Sequence, residues 1–228
     1  AAVRAKPVLG RCEERDGTKC DERGEAMEHG SKVDPDTLRG TTRAPACVPD
    51  QPAMPRIAIF CGASSGHAAH WKALAAEVGR TLALNKFGIV YGGGHVGLMG
   101  VVADAAMKAG GEVIGVIPRF MEKSELAHQG VTELILVDTM HQRKQRMHEL
   151  SDAVIALPGG FGTMDELFEL LTWRQIGLHR QPIGLLNAHG FYDPLLDQVR
   201  MMRREGFLHG ETELIVADTI TALLDQLR

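Results

Sequence analysis

Ala153-Val154-Ile155-Ala156-Leu157-Pro158-Gly159-Gly160-Phe161-Gly162-Thr163-Met164-Asp165-Glu166 passes from an apolar run through a glycine-rich turn into a helix start. An unbroken apolar run suits a strand covered on both faces, as in parallel sheets. The glycines ahead of a helix aim free backbone N–H groups and the helix dipole at one point, where an anion can bind. No Lys-Ser/Thr follows the last glycine, which argues against an ATPase loop, and a phosphate monoester is the natural guest.

The same pattern repeats on either side. Apolar runs recur at Ile57–Cys61, Gly88–Tyr91, Glu112–Ile117, Leu134–Val137, Pro182–Leu186 and Leu214–Val216, with helical spacing between them, as in Trp71–Leu82. Strands alternating with helices predict an α/β fold, a doubly wound parallel sheet in one domain over 56–228. Ligands in such folds sit beyond the carboxyl ends of the strands, so the strand-to-helix turns are where chemistry is expected.

Two further turns have that form. Cys61-Gly62-Ala63-Ser64-Ser65-Gly66 ends one run, with Ser64 or Ser65 as a candidate cap for a helix near His67. Tyr91-Gly92-Gly93-Gly94-His95-Val96-Gly97-Leu98-Met99-Gly100 contains Gly92-x-Gly94-x-x-Gly97, which matches the dinucleotide fingerprint and makes an oxidoreductase one rival reading. The next run ends Val116-Ile117-Pro118-Arg119, without the acid that would hold a dinucleotide ribose. Gly93 and Gly94 suit close backbone approach to a phosphate or a ribose equally well.

Thr163-x-x-Glu166 has the spacing of a capping box, so capping competes with catalysis for Glu166. Asp165 reads as a helix-start acid, and its charge would push a neighbouring carboxylate's proton affinity upward. Cations to balance these acids are near in sequence: Met140-His141-Gln142-Arg143-Lys144-Gln145-Arg146-Met147 opens the preceding helix. Arg143 and Lys144 stand near its start, against the dipole, which points to function. Arg146 reads as a solvated residue and His141 as a structural hydrogen-bonder.

Residues 1–55 differ in kind. They hold no Phe, Trp, Tyr or Ile, carry 9 Lys+Arg against 10 Asp+Glu, and are punctuated by Gly and Pro. A mobile or disordered extension is expected, because such a segment buries too little apolar surface to offset its ordering entropy. Cys12, Cys20 and Cys47 lie there without a CxxC pair, and His29 lacks ligand spacing, so no metal site is expected. The net charge of −4 gives no field for nucleic acid. With no long apolar span and no secretory pattern near residue 1, a soluble cytoplasmic protein is expected.

Three motifs together carry a resemblance. Pro158–Glu166 matches PGGxGTxxE, Met140–Lys144 matches MHxRK, and Gly92–Gly100 matches a third glycine element, in the same order as in the LONELY GUY family of cytokinin riboside 5′-monophosphate phosphoribohydrolases. From about Arg56 onward the chain resembles that family. The resemblance implies a Rossmann-like fold, usually a homodimer. It implies a hydrolase that cleaves the N-glycosidic bond of cytokinin ribotides or AMP, yielding free base and ribose 5-phosphate without a cofactor. It implies Arg143 and Glu166 as the catalytic pair and Gly159, Gly160, Gly162 and Thr163 as the phosphate cradle. Glu125, Lys144 and Thr172 would make further substrate contacts, with Gly93 and Gly94 beside them. Some members are labelled lysine decarboxylase, but no lysine here stands out as a cofactor carrier. A non-catalytic nucleotide sensor or carrier on the same fold is the other rival.

Overall fold

The computed structural model describes residues 55–122, 127–208 and 214–227. Seven strands form one parallel sheet: β1 Arg56–Phe60, β2 Gly88–Tyr91, β3 Val113–Pro118, β4 Glu133–Val137, β5 Ala153–Ala156, β6 Ile183–Leu186 and β7 Leu214–Ala217. Every run expected from the sequence is present, with no end displaced by more than one residue. The helices are α1 Ala69–Leu84, α2 Gly97–Lys108, α3 Met140–Glu149, α4 Phe161–Gln175, α5 Asp193–Arg204 and α6 Ile220–Leu227. None is long and apolar enough to cross a membrane.

Alternate residues of each strand feed opposite cores. Ile57 and Ile59 of β1 pack with Val78 and Leu82 of α1, Val102 of α2 and Leu223 of α6. Ala58 and Phe60 face the other way, among Met147 of α3, Leu167 and Leu170 of α4, and Tyr192 just before α5. The five inner strands are buried almost throughout, whereas β4 and β7, at the two edges, are only partly covered. That gradient explains why the inner runs read as uninterrupted apolar sequence.

The strand order is β4-β3-β2-β1-β5-β6-β7. Its direction reverses between β1 and β5, which pair from Ile57↔Ala153 to Phe60↔Ala156. Beyond the carboxyl ends of those two strands the flanking turns diverge and leave a crevice. The turn after β1 and the Pro158–Thr163 turn are therefore its two walls.

Two cap assignments from the sequence are corrected. Neither Ser64 nor Ser65 caps α1, which starts later, at Ala69, after Ala68 and without a side-chain cap. The capping box is on α3 rather than α4. Thr139 Oγ1 accepts from the Gln142 N–H at 3.1 Å, and Gln142 Oε1 accepts from the Thr139 N–H at 3.3 Å. On α4 Gly160 is the N-cap, with no side-chain cap bond. The helix begins three residues before the position the box requires, so Thr163 and Glu166 are left for other work.

Candidate active site

The crevice holds a cavity of about 540 Å3, within the roughly 300–1,000 Å3 typical of small-molecule clefts. Three turns build it and are laced together by their backbones. The Gly62 N–H donates to the Pro158 carbonyl at 3.2 Å, and the Leu98 N–H donates to the Gly62 carbonyl at 3.0 Å. Gly97 makes the second contact possible. Its φ is +67°, and a Cβ there would stand 2.2 Å from the Ala63 carbonyl oxygen.

The Pro158–Thr163 turn lines the cavity with Gly159, Gly160, Gly162 and Thr163. Thr163 Oγ1 is buried and has no hydrogen-bond partner. A buried hydroxyl left unpaired is costly, and the residue that carries it lines the cleft. A Cβ on Gly159 would lie 2.1 Å from Thr163 Oγ1 and 2.9 Å from the Gly62 N, whereas one on Gly160 would meet nothing within 4 Å. Gly159→Ala is expected to deform the loop and cut nucleotide affinity at least tenfold. Gly160→Ala, one residue on, keeps the loop shape. Isothermal titration of AMP into both variants checks the contrast, and equal affinities would remove the packing argument.

Arg143 and Glu166 face this cavity from α3 and α4. Arg143 is only 7% exposed. Its Nε donates to the Val116 carbonyl at 3.2 Å and one Nη to the Gly92 carbonyl at 2.9 Å. It thus ties α3 to the ends of β3 and β2 and is the one cation lining the cavity among the described residues. Burial pushes the Glu166 carboxyl up to about 7; Arg143 opposes the shift, Asp165 adds to it, Lys144 opposes and Glu169 adds. A carboxylate that titrates near neutrality is suited to proton transfer at physiological pH.

Much of the remaining lining is apolar and aromatic: Trp71, Phe191, Leu98, Met99, Met121 and Met140. Trp71 and Phe191 meet edge to face at 5.6 Å. No sequence pattern marked them, because one comes from α1 and the other from the turn before α5, and only the fold brings them together. Cys61 also lines the cavity. Burial, then Glu166, holds its thiol well above the ordinary value, and Arg143 opposes only in part, so it stays protonated.

Other expected site residues lie elsewhere. Gly93 packs against Ile117 and Leu134, and its carbonyl accepts from the His128 N–H at 2.9 Å. Gly94 bridges to Ala127. Neither lines the cavity, and Gly92 represents that turn there. Lys144 is ion-paired with Asp165 and Glu169 on α4 and is not in the cavity wall. Thr172 is exposed, its hydroxyl donating to the Phe168 carbonyl at 2.7 Å. Glu125 and residues 1–54 lie outside the described residues. Arg146 is solvated and pairs with Glu149, as its position suggested.

Among the described residues one trio has the composition of a metal site: His95, Asp104 and His128, with donor atoms within 4.8 Å of one another. His128 Nδ1 accepts from the Gly130 N–H at 3.2 Å, so the neutral ring keeps its proton on Nε2, 3.0 Å from Asp104 Oδ1. A metal on Nε2 would turn Nδ1 into a donor facing another donor, the reverse of the usual outer-shell support. The trio fits a hydrogen-bonded clasp better than a metal centre.

The family model described as "Possible lysine decarboxylase" matches residues 99–227. The cytokinin riboside 5′-monophosphate phosphoribohydrolase LOG of Oryza sativa subsp. japonica is 44% identical over 167 residues, 73% of this chain and 69% of that one. The cytokinin riboside 5′-monophosphate phosphoribohydrolase of Rhodococcoides fascians is 46% identical over 181 residues, 78% of this chain and 91% of that one. Among solved structures, the molybdenum cofactor binding protein from the phototrophic bacterium Rippkaea orientalis matches with a TM-score of 0.60 at 22% identity. That match covers 78% of this chain and 97% of that one, and at this identity the likeness is one of fold.

Proposed function

The chain belongs to the LONELY GUY family of cytokinin riboside 5′-monophosphate phosphoribohydrolases, and we propose that it hydrolyses the N-glycosidic bond of cytokinin ribotides, and of AMP, to free base and ribose 5-phosphate. One observation carries the reading. A carboxyl that burial raises to about 7, a buried guanidinium and a glycine-rich helix start carrying the unpartnered Thr163 hydroxyl line the same cavity.

The 5′-phosphate sits at the Gly159–Thr163 turn, held by backbone N–H groups, the start of α4 and Thr163 Oγ1. The base lies toward the apolar wall. Departure of the base leaves positive charge on the ribose, which the ionised Glu166 stabilises. Water supplies its oxygen to C1′ and a proton, by way of Glu166, to the leaving base, so the reaction needs no redox partner. Arg143 fixes the walls around the sugar through Gly92 and Val116 and balances Glu166. No lysine lines the cavity among the described residues.

The family description and the relatives' names point to different chemistries, and products decide between them. Incubation with AMP and with N6-isopentenyl-AMP, followed by liquid chromatography, is expected to show free base and ribose 5-phosphate. Tight binding of AMP with no base released would instead favour a carrier on this fold.

A homodimer in the cytoplasm completes the proposal, with residues 1–55 outside the catalytic domain. Its support is the outer face of α4. Leu167 and Leu170 are buried, but Phe168 remains 40% exposed and Phe161, at the cavity mouth, 96% exposed. Light scattering should return twice the 24.8 kDa chain mass, and a monomer would dismiss the dimer.

A further inference from the structure

We propose that Lys144 is a positioning residue whose ammonium, held between Asp165 and Glu169, offsets part of the negative charge flanking Glu166 and so favours the ionised form of Glu166. The proposal rests on the catalytic reading of Glu166 and gives Lys144 a role other than contact with substrate.

The second turn of α4 presents three acids: Asp165, Glu166 and Glu169. Like charges at these spacings repel one another, and the pair four apart sits on one face. Lys144 reaches across from α3 to this cluster. Its Nζ is 3.1 Å from Asp165 Oδ2, 3.4 Å from Asp165 Oδ1 and 3.0 Å from Glu169 Oε2. The Lys144 side chain is 10% exposed and that of Glu169 20%, so solvent screens that contact weakly, whereas Asp165, 59% exposed, is screened more. Its neighbour Arg143 points instead into the cavity and is occupied by two backbone carbonyls. The two adjacent cations thus divide the work.

The charged and titratable groups facing Glu166 are Arg143 and Lys144 from α3, Asp165 and Glu169 from its own helix, and Cys61 beyond β1. Cys61 is neutral, so four charges set the local balance. Burial works against the Lys144 ammonium, but its contacts with Glu169 and Asp165 outweigh burial and hold its pKa above the ordinary lysine value. The counter-charge is therefore constant while Glu166 titrates. Without it, ionisation of Glu166 would leave three negative charges within about one helical turn against Arg143 alone. To reach a substrate phosphate, Lys144 would have to abandon both carboxylates.

The test reads Glu166 directly. Protein labelled with carbon-13 at the glutamate carboxyl is titrated by NMR, with Glu166→Gln assigning the resonance. Lys144→Met is expected to raise the Glu166 midpoint by on the order of one pH unit. Lys144→Met with Asp165→Asn and Glu169→Gln should return it to the parental value or below. Lys144→Arg keeps the charge and should hold the parental midpoint. Asp165→Asn alone should lower it, which keeps the proposal testable even if Lys144→Met unfolds. The acid limb of kcat/KM should follow the midpoint, with KM unchanged above the limb. An unmoved midpoint in Lys144→Met, or a raised KM at every pH without such movement, would make Lys144 a substrate contact and overturn the proposal. The titration requires no turnover, so a protein that hydrolyses nothing still tests it.

Discussion

Glu166→Gln is expected to lower turnover of AMP and N6-isopentenyl-AMP by roughly 10²–10⁴-fold, the usual range for loss of one positioned acid–base group. The amide keeps the shape and the hydrogen-bond reach of the carboxyl but can carry neither the negative charge that stabilises an oxocarbenium-like ribose nor the proton of the attacking water. Binding of AMP should change little, because the phosphate is held at the start of α4. The same substitution makes a second, opposite prediction. Burial pushes the Glu166 carboxyl up to about 7 in the folded protein, against 4.5 for a solvent-exposed glutamate. Between those values the folded state binds more protons than the unfolded state, so stability is lost as pH rises through the window. Above it, the buried anion costs up to about 3 kcal/mol, an upper bound because the side chain is partly solvated. Gln stays neutral throughout. Thermal denaturation should therefore show the variant more stable than the parent above neutrality, with the advantage shrinking toward about pH 4.5. An active variant, or one with no stability gain at alkaline pH, would contradict the assigned role of this carboxylate.

The gain and the loss come from the same cause. A carboxyl withdrawn from water is strained as an anion, and that strain sets its proton affinity near the working pH. Asp165 and Glu169 sharpen the effect, and Arg143 and Lys144 moderate it. The α3–α4 pair is thus a charge balance as much as a packing contact.

Some of this was legible in the sequence and some was not, for definite reasons. The seven strands were visible because each inner strand is buried on both faces and so tolerates only apolar residues. The three glycine turns were visible because close approach leaves no alternative at Gly97 and Gly159. Arg143 and Glu166 stood out by motif, and both face the cavity. The caps were misassigned because Thr-x-x-Glu and Thr-x-x-Gln spacings look alike until the helix start is known. The true box, Thr139 with Gln142, anchors the helix that carries Arg143. Gly93 and Gly94 shared the glycine signal of Gly92, but their freedom serves packing under β3 and the loop around His128. Lys144 appeared only as a basic residue against a dipole, since the acids it meets lie 21 and more positions away. The aromatic wall left no local trace at all. Trp71 fits the helical period of α1 regardless of its role, and Phe191 follows a turn in which His189 adopts a left-handed backbone with φ of +57°.

Arg143→Lys is the second variant with a large expected effect, and its two consequences can be separated. One ammonium cannot reproduce a planar fork that reaches the Gly92 and Val116 carbonyls at once. A Cβ on Gly92 would lie only 2.0 Å from an Arg143 nitrogen, so the guanidinium is packed directly on the second glycine turn. Loss of the fork loosens that turn and leaves a buried carbonyl without its charged donor, at a cost of about 1–3 kcal/mol. For a domain of this size that is about 2–4 °C in melting temperature per kcal/mol. The lysine keeps a positive charge near Glu166, so its midpoint should hold while kcat/KM falls about a hundredfold through misplaced walls. Arg143→Met removes the charge as well. Its Glu166 midpoint should rise, since Arg143 is the strongest influence opposing the upward shift. The acid limb of its pH profile should then move upward in step. Equal pH profiles for the Lys and Met variants would show that Arg143 serves the site by shape alone, whereas a displaced limb in Met only separates its electrostatic role from its structural one.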